Sequence, residues 1–220
     1  MKKLIISIFI TALSIYTVAA QQSSSSSALS SSVKKLDQAK TVKDYQTLEK
    51  EFSGIAIAQK TNWLPYYYAA FCNARIGFLY QDNGEDVEPY SNRGETLAQK
   101  AKSLLDTAKQ KKELSELYTI FCMINQSRVF INQMSYGPKY GPIAQQYLNK
   151  AKQFNPENPR AIFMEAWFKY NTPKMWGGDK DLAKQLAMKS LKLLQSGPSE
   201  GEMPHWGQTE NTELLNKYKN

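Results

Sequence analysis

The side chains that could do chemistry are few and scattered. His205 is the single histidine in a chain of 220 residues. One imidazole does not make the usual multi-histidine metal site, and no cysteine or carboxylate cluster stands beside it at ligand spacing, so neither a metal nor a cofactor is expected. Serine–histidine hydrolysis would need an elbow of the Gly-X-Ser-X-Gly kind, which the chain lacks. Glu113 with Glu116, and Glu85 with Asp86, read as acids at helix starts, where they complement the positive end of the helix dipole. A glycosidase pair is defined by carboxyl separation, which spacing along the chain does not supply. Gly177-Gly178 has no Gly-X-X-X-X-Gly-Lys context and reads as a sharp turn with positive φ rather than a phosphate loop. In Pro204-His205-Trp206-Gly207, Trp206 reads as a plug at the end of a helical stack and His205 as satisfied by a local hydrogen bond. The chain therefore reads as a protein without enzymatic activity and without catalytic residues.

Aromatic residues carry the functional signal instead. Trp63, Tyr67, Ala70, Phe71, Ala74 and Phe78 fall on one helical stripe and read as core. Tyr66 and Tyr68 lie off that stripe, while Tyr136, Tyr140 and Trp176 fall in segments read as loops. Exposed Tyr and Trp favour interfaces because they bury large areas with few rotatable bonds. The candidate binding surface is thus Tyr66, Tyr68, Tyr136, Tyr140 and Trp176, with Arg75 and Arg128 as polar anchors.

The elements that must position them are helices. Leu36, Ala39, Val42, Tyr45, Leu48 and Phe52 predict one or two helices over 33–59, with a break or kink at Gly54. Asn62 caps a helix from Trp63 to about Tyr80, with Pro65 in its first turn. The next helix, beginning at Val87 or Glu95, runs to Lys109 with Leu97, Ala101, Leu104, Leu105 and Ala108 facing inward. Glu113 to Met134 forms another. Residues 135–142 hold two Gly-Pro pairs and read as an inserted loop. Helices over 143–154 and 159–171 follow, then an aromatic loop over 172–178. Asp179 caps a helix through Gln195, ended by Gly197-Pro198, and Gln208 to Tyr218 caps the domain. No strand pattern is present, and the fold class is all-α.

Ala144, Leu148 and Ala151 share a helix face, and the two alanines let a neighbouring helix approach closely. Pro156 cannot continue that helix. Asn158 is then an N-cap, with Pro159 at the first helical position. The small, large, small and proline positions Ala144, Leu148, Ala151 and Pro156 resemble those of the second helix of a tetratricopeptide repeat. Trp63 through Ala70, Asn158 through Ala161, Pro173 through Gly178 and Pro204 through Gly207 also resemble uncharacterised secreted helical-repeat proteins of Bacteroidota. The likeness spans roughly residues 36–219. It implies stacked antiparallel helical hairpins, a tetratricopeptide-like superhelix with a C-terminal capping helix, in an exported protein. Three segments starting at Tyr66, Leu117 and Ile162 superimpose at intervals of 51 and 45 residues. Ala108, Ala151 and Ser190 recur 43 and 39 residues apart. Both periods exceed the roughly 34 residues of a standard repeat, so the units carry insertions.

Met1-Lys2-Lys3, an apolar run from Leu4 to Val18, and Ala19-Ala20 read as a signal peptide over 1–20, cleaved after Ala20. The first cysteine is Cys72, so this is not a lipoprotein site. Residues 21–33 contain eight serines and read as a flexible linker, leaving residues 34–220 as one helical-repeat domain. Removing Lys2 and Lys3 lowers the formal charge from +8 to +6, with lysines scattered among 20 acids. Nucleic-acid binding wants a concentrated basic face and is excluded on that ground. No later segment is long and apolar enough to span a membrane. Stacked helices could bring Cys72 and Cys122 near each other, but helix axes usually pack about 8–10 Å apart and disulfide Cα atoms want about 5.5–6 Å, so buried free thiols are the favoured reading and a bridge the alternative. The expectation is a periplasmic or secreted module holding an unidentified envelope protein or peptide. The alternatives are a small-ligand binder, with Trp176 and the 135–142 segment as a stacking platform for a glycan or peptidoglycan fragment, and less favourably a hydrolase of unknown type.

Overall fold

The computed structural model describes residues 27–197 and 201–219. The signal-peptide reading and Pro198 lie outside these residues. Helix α1 covers residues 27–36 and is followed by α2 (Val42–Ala58), α3 (Trp63–Leu79), α4 (Val87–Ser103), α5 (Lys111–Val129), α6 (Gln133–Phe154), α7 (Pro159–Asn171), α8 (Lys180–Ser196) and α9 (Gln208–Asn216). Among the described residues there is no strand, and the fold is all-α.

Local chemistry starts the helices where the sequence marks them. Asn62, Asn158 and Asp179 each accept hydrogen bonds from backbone amides of the first turn, satisfying donors the helix leaves unpaired. Thr41 and Asp44 form a reciprocal capping box on α2. Successive helices then pair, α3 with α4, α5 with α6 and α7 with α8, while α3, α5 and α7 lie side by side as an inner row. Ala144, Leu148 and Ala151 are fully buried in the α5–α6 seam, where Ser115 Oγ donates to the Ala151 carbonyl at 2.7 Å. Glycine serves the same purpose elsewhere. A Cβ on Gly94 would stand 3.1 Å from Asn73 Cβ, and one on Gly77 would stand 2.7 Å from Ser127 Cβ, so α4 and α5 approach α3 closely there.

Several elements differ from the sequence expectation. Residues 135–142 are helical, because α6 runs through both Pro138 and Pro142. The two prolines stand four apart, so their missing amides fall on one stripe, while the opposite face is fixed by burial of Ala144, Leu148 and Ala151. Asn132 caps the new start, and α5 ends at Val129 rather than Met134. Gly54 does not break α2, which runs through it to Ala58, and nothing stands near its missing Cβ. Ala108 is exposed in a turn, because α4 stops at Ser103 and the Asp106 carboxylate accepts from the Ala108 amide, a local bond that competes with helix. Ala101, fully buried, fills the inward position late in α4. Residues 27–33, read from the sequence as part of a linker, belong to α1, whose Leu29, Val33 and Leu36 are buried at helical spacing, and residues 21–26 lie outside the described residues. Ser32 and Lys35 both reach Glu51, locking α1 to α2.

Candidate functional site

The inner row presents aromatic and thioether side chains along its surface, and α9 crosses that surface. Arg75 and Phe78 of α3, Met123 of α5, and Phe163, Met164 and Trp167 of α7 form one wall of a cleft. Glu210, Glu213, Leu214 and Lys217 form the other. The cleft encloses about 100 Å³. Phe78 and Trp167 meet edge-to-face at 5.4 Å, and Phe130 joins both at 5.4 and 6.2 Å. This T-shaped trio gives the cleft a rigid aromatic end.

A buried polar relay holds the chain end in place. Arg160 donates to Glu116 through Nε at 2.6 Å and Nη2 at 2.7 Å, a bidentate pair with both side chains nearly excluded from water. Trp206 Nε1 donates to the Tyr67 hydroxyl at 2.8 Å, and that hydroxyl reaches Glu116 Oε2 at 3.4 Å. Burial raises the Tyr67 phenol well above its ordinary value, and the Glu116 charge adds to the shift, so it stays protonated. Trp206 also stacks on Phe71 at 4.6 Å. His205 bonds locally to the Met203 carbonyl at 3.0 Å and also reaches Asp37, just beyond α1, at 3.1 Å.

The residues proposed from sequence fall into separate groups. Tyr68 and Arg75 lie beneath the C-terminal segment. Tyr68 is buried and donates to the Glu202 carbonyl at 2.8 Å, so the structure removes it from the exposed set; its position between Phe52 and Tyr67 leaves no free face. Arg75 pairs with Glu210 at 3.6 Å and rests on the Tyr45 ring. Burial opposes its charge, yet Glu210 and Tyr45 outweigh that and keep it cationic. Tyr66 is half-buried, with its hydroxyl donating to the Ala56 carbonyl. Arg128, Tyr136 and Tyr140 come together on the other side of α5. Tyr136 and Tyr140 stack at 5.4 Å, and the Arg128 guanidinium lies 5.2 Å from the Tyr140 ring centre. Arg128 itself is buried and committed to Glu95, Asn92 and Asn125. Trp176 stands apart in a single turn, 74% exposed beside Met175 at 83%. Gly177 follows with φ of 90°, the left-handed turn expected there. Pro156 sits exposed in the turn beyond α6.

Reasoning from the sequence missed Phe163, Met164, Trp167 and Lys217 as a group. The surplus of large apolar residues in α7 was a usable signal, since Phe163 and Trp167 stand four apart. Nothing in the sequence aims α9 across them. Cys72 and Cys122 are buried free thiols, raised by burial and unreactive in that state. Among the described residues no group of three metal-ligating side chains occurs.

Fold and cleft together define an all-helical protein built around a small aromatic-lined groove. The chain is similar to the HusA haemophore from Porphyromonas gingivalis, with 30% identity over 87% of this chain and 90% of that one, and a TM-score of 0.74. At that identity and coverage the chain belongs to the same family as HusA. No protein-family model and no curated protein matches it.

Proposed function

We propose that this is an exported, non-enzymatic carrier of a flat, largely apolar ligand of the haem or porphyrin class, held in the cleft between the inner row and α9. The observation that carries the reading is the wall itself. Phe78, Met123, Phe163, Met164 and Trp167 offer polarizable faces and no reactive group, in a relative of a protein described as a haemophore. A cleft of about 100 Å³ is smaller than the roughly 300–1,000 Å³ of ordinary ligand pockets, so admission of a macrocycle requires α9 to move outward. His205 is tied to Asp37 away from the cleft, and iron ligation by histidine is not part of the proposal.

The test is titration of the mature protein with haem and with metal-free protoporphyrin, followed by absorbance and tryptophan quenching. Saturable binding is expected, weakened about tenfold or more by Trp167→Ala, the loss expected when a buried aromatic contact is removed. A flat titration would reject the proposal.

The partner-holding reading, with the tetratricopeptide-like stacking behind it, draws support from a different place. The Tyr136–Tyr140 pair and the exposed Trp176 lie outside the lining of the cleft. Loss of a crosslinked envelope protein on Tyr136→Ala with Tyr140→Ala is the expected result under that reading.

A further inference from the structure

One end of the cleft is electrostatically distinctive. Tyr170, near the end of α7, and Tyr218, just beyond α9, meet edge-to-face at 5.4 Å. Three ammonium groups converge on these rings. Lys180 and Lys217 lie 5.1 and 5.2 Å from the Tyr170 centre, and Lys184 lies 5.7 Å from that of Tyr218. Tyr218 fixes the arrangement by donating its hydroxyl to the Lys180 carbonyl at 2.6 Å, which ties the chain end to the start of α8. None of the three lysines forms an ion pair among the described residues. The acids that face the cluster are Asp179 and Asp181 at the start of α8 and Glu213 on α9, all exposed to solvent. Glu210 is already committed to Arg75.

Tyrosine faces attract cations but do not neutralise them, and none of the three facing carboxylates is in ion-pair contact with these lysines, so their ammonium groups can turn to an incoming anion. Lys217 belongs both to this cluster and to the cleft wall. The cleft thus joins an aromatic, thioether-lined body to a cationic mouth. We propose that Lys180, Lys184 and Lys217 form a carboxylate subsite at the mouth, which selects ligands with an apolar aromatic body and acidic groups along one edge and orients them acid-outward. The inference rests on the porphyrin-type reading of the cleft and adds the polar half of its specificity.

The probes are protoporphyrin and its dimethyl ester, which share the ring and differ only in whether the two acids are free. The wild-type protein is expected to prefer the free acid by about tenfold, the scale of a charge-assisted contact, and to lose the preference as salt is raised. The combined Lys180→Gln, Lys184→Gln and Lys217→Gln variant should bind the two alike, while the three Lys→Arg changes should keep the preference. Equal binding of acid and ester by the wild type, or a preference that survives the glutamine variant, overturns the subsite and leaves the porphyrin reading standing. If neither compound binds the wild type, both fall together. Because all three side chains are exposed, unchanged thermal unfolding of the glutamine variant is the expected control.

Discussion

Replacing Glu116 by Gln removes one charge from the buried pair with Arg160 and tests whether that pair anchors the chain end. The side chains of Arg160 and Glu116 are 10% and 7% exposed, so water does not compensate for a lost partner. Both carboxylate oxygens are in use, accepting at 2.6 and 2.7 Å, and a glutamine amide turns one acceptor into a donor facing the guanidinium. Breaking a buried pair in this way costs about 3–5 kcal/mol. For a domain of this size each kcal/mol shifts the melting point by about 2–4 °C, so a fall of roughly 6–20 °C is expected. Removing both partners together, as Glu116→Leu with Arg160→Met, leaves no orphaned charge and should come within about 2 kcal/mol of wild type. Urea unfolding followed by far-UV circular dichroism measures both. A single variant within about 1 kcal/mol of wild type, or a double variant as damaged as the single, would refute the reasoning.

Four further outcomes follow from named contacts. Ala151→Leu forces three extra carbons into the fully buried α5–α6 seam and should cost about 1–3 kcal/mol in the same assay. Gly54→Ala, in mid-helix with nothing near the added methyl, should stabilise by about 0.5–1 kcal/mol. Tyr67 and Cys72 are held protonated by burial. The unfolded chain releases those protons above about pH 10 and 8.5 while the folded chain keeps them, so stability is full below these values and falls by about 1.4 kcal/mol per pH unit per group above them. A urea midpoint flat across the alkaline range would contradict this. Cys72 and Cys122 should react with a thiol reagent only as fast as the protein opens, and a prompt reaction of either would mean it is not buried.

Much of the fold was legible because its signals are local. Asn62, Asn158 and Asp179 mark helix starts through their own side chains, and the Ala144, Leu148, Ala151 face reports its neighbour through size alone. The failures arise where distant contacts outweigh local preference. Pro138 and Pro142 argue against helix, but the buried face beyond them holds α6 together. Ser30, Ser31 and Ser32 read as linker, yet Leu29 and Val33 are buried in the core and Ser32 finds Glu51 of α2. The cleft was the least legible part. Its two walls come from Arg75 and Lys217, 142 positions apart, and no periodicity records that α9 folds back. Tyr68 misled for the same reason, since the backbone it serves is that of Glu202.

The contact of His205 with Asp37 gives the molecule a closed circuit. A plain solenoid has two free ends, adds units indefinitely, and can melt from either tip. Here the tail reaches back to the first turn after α1, through Tyr68, Trp206 and Arg75 along the way, so neither tip is independent of the other. Insertion of another helix pair into the row would separate Asp37 from His205 and pull that clasp apart.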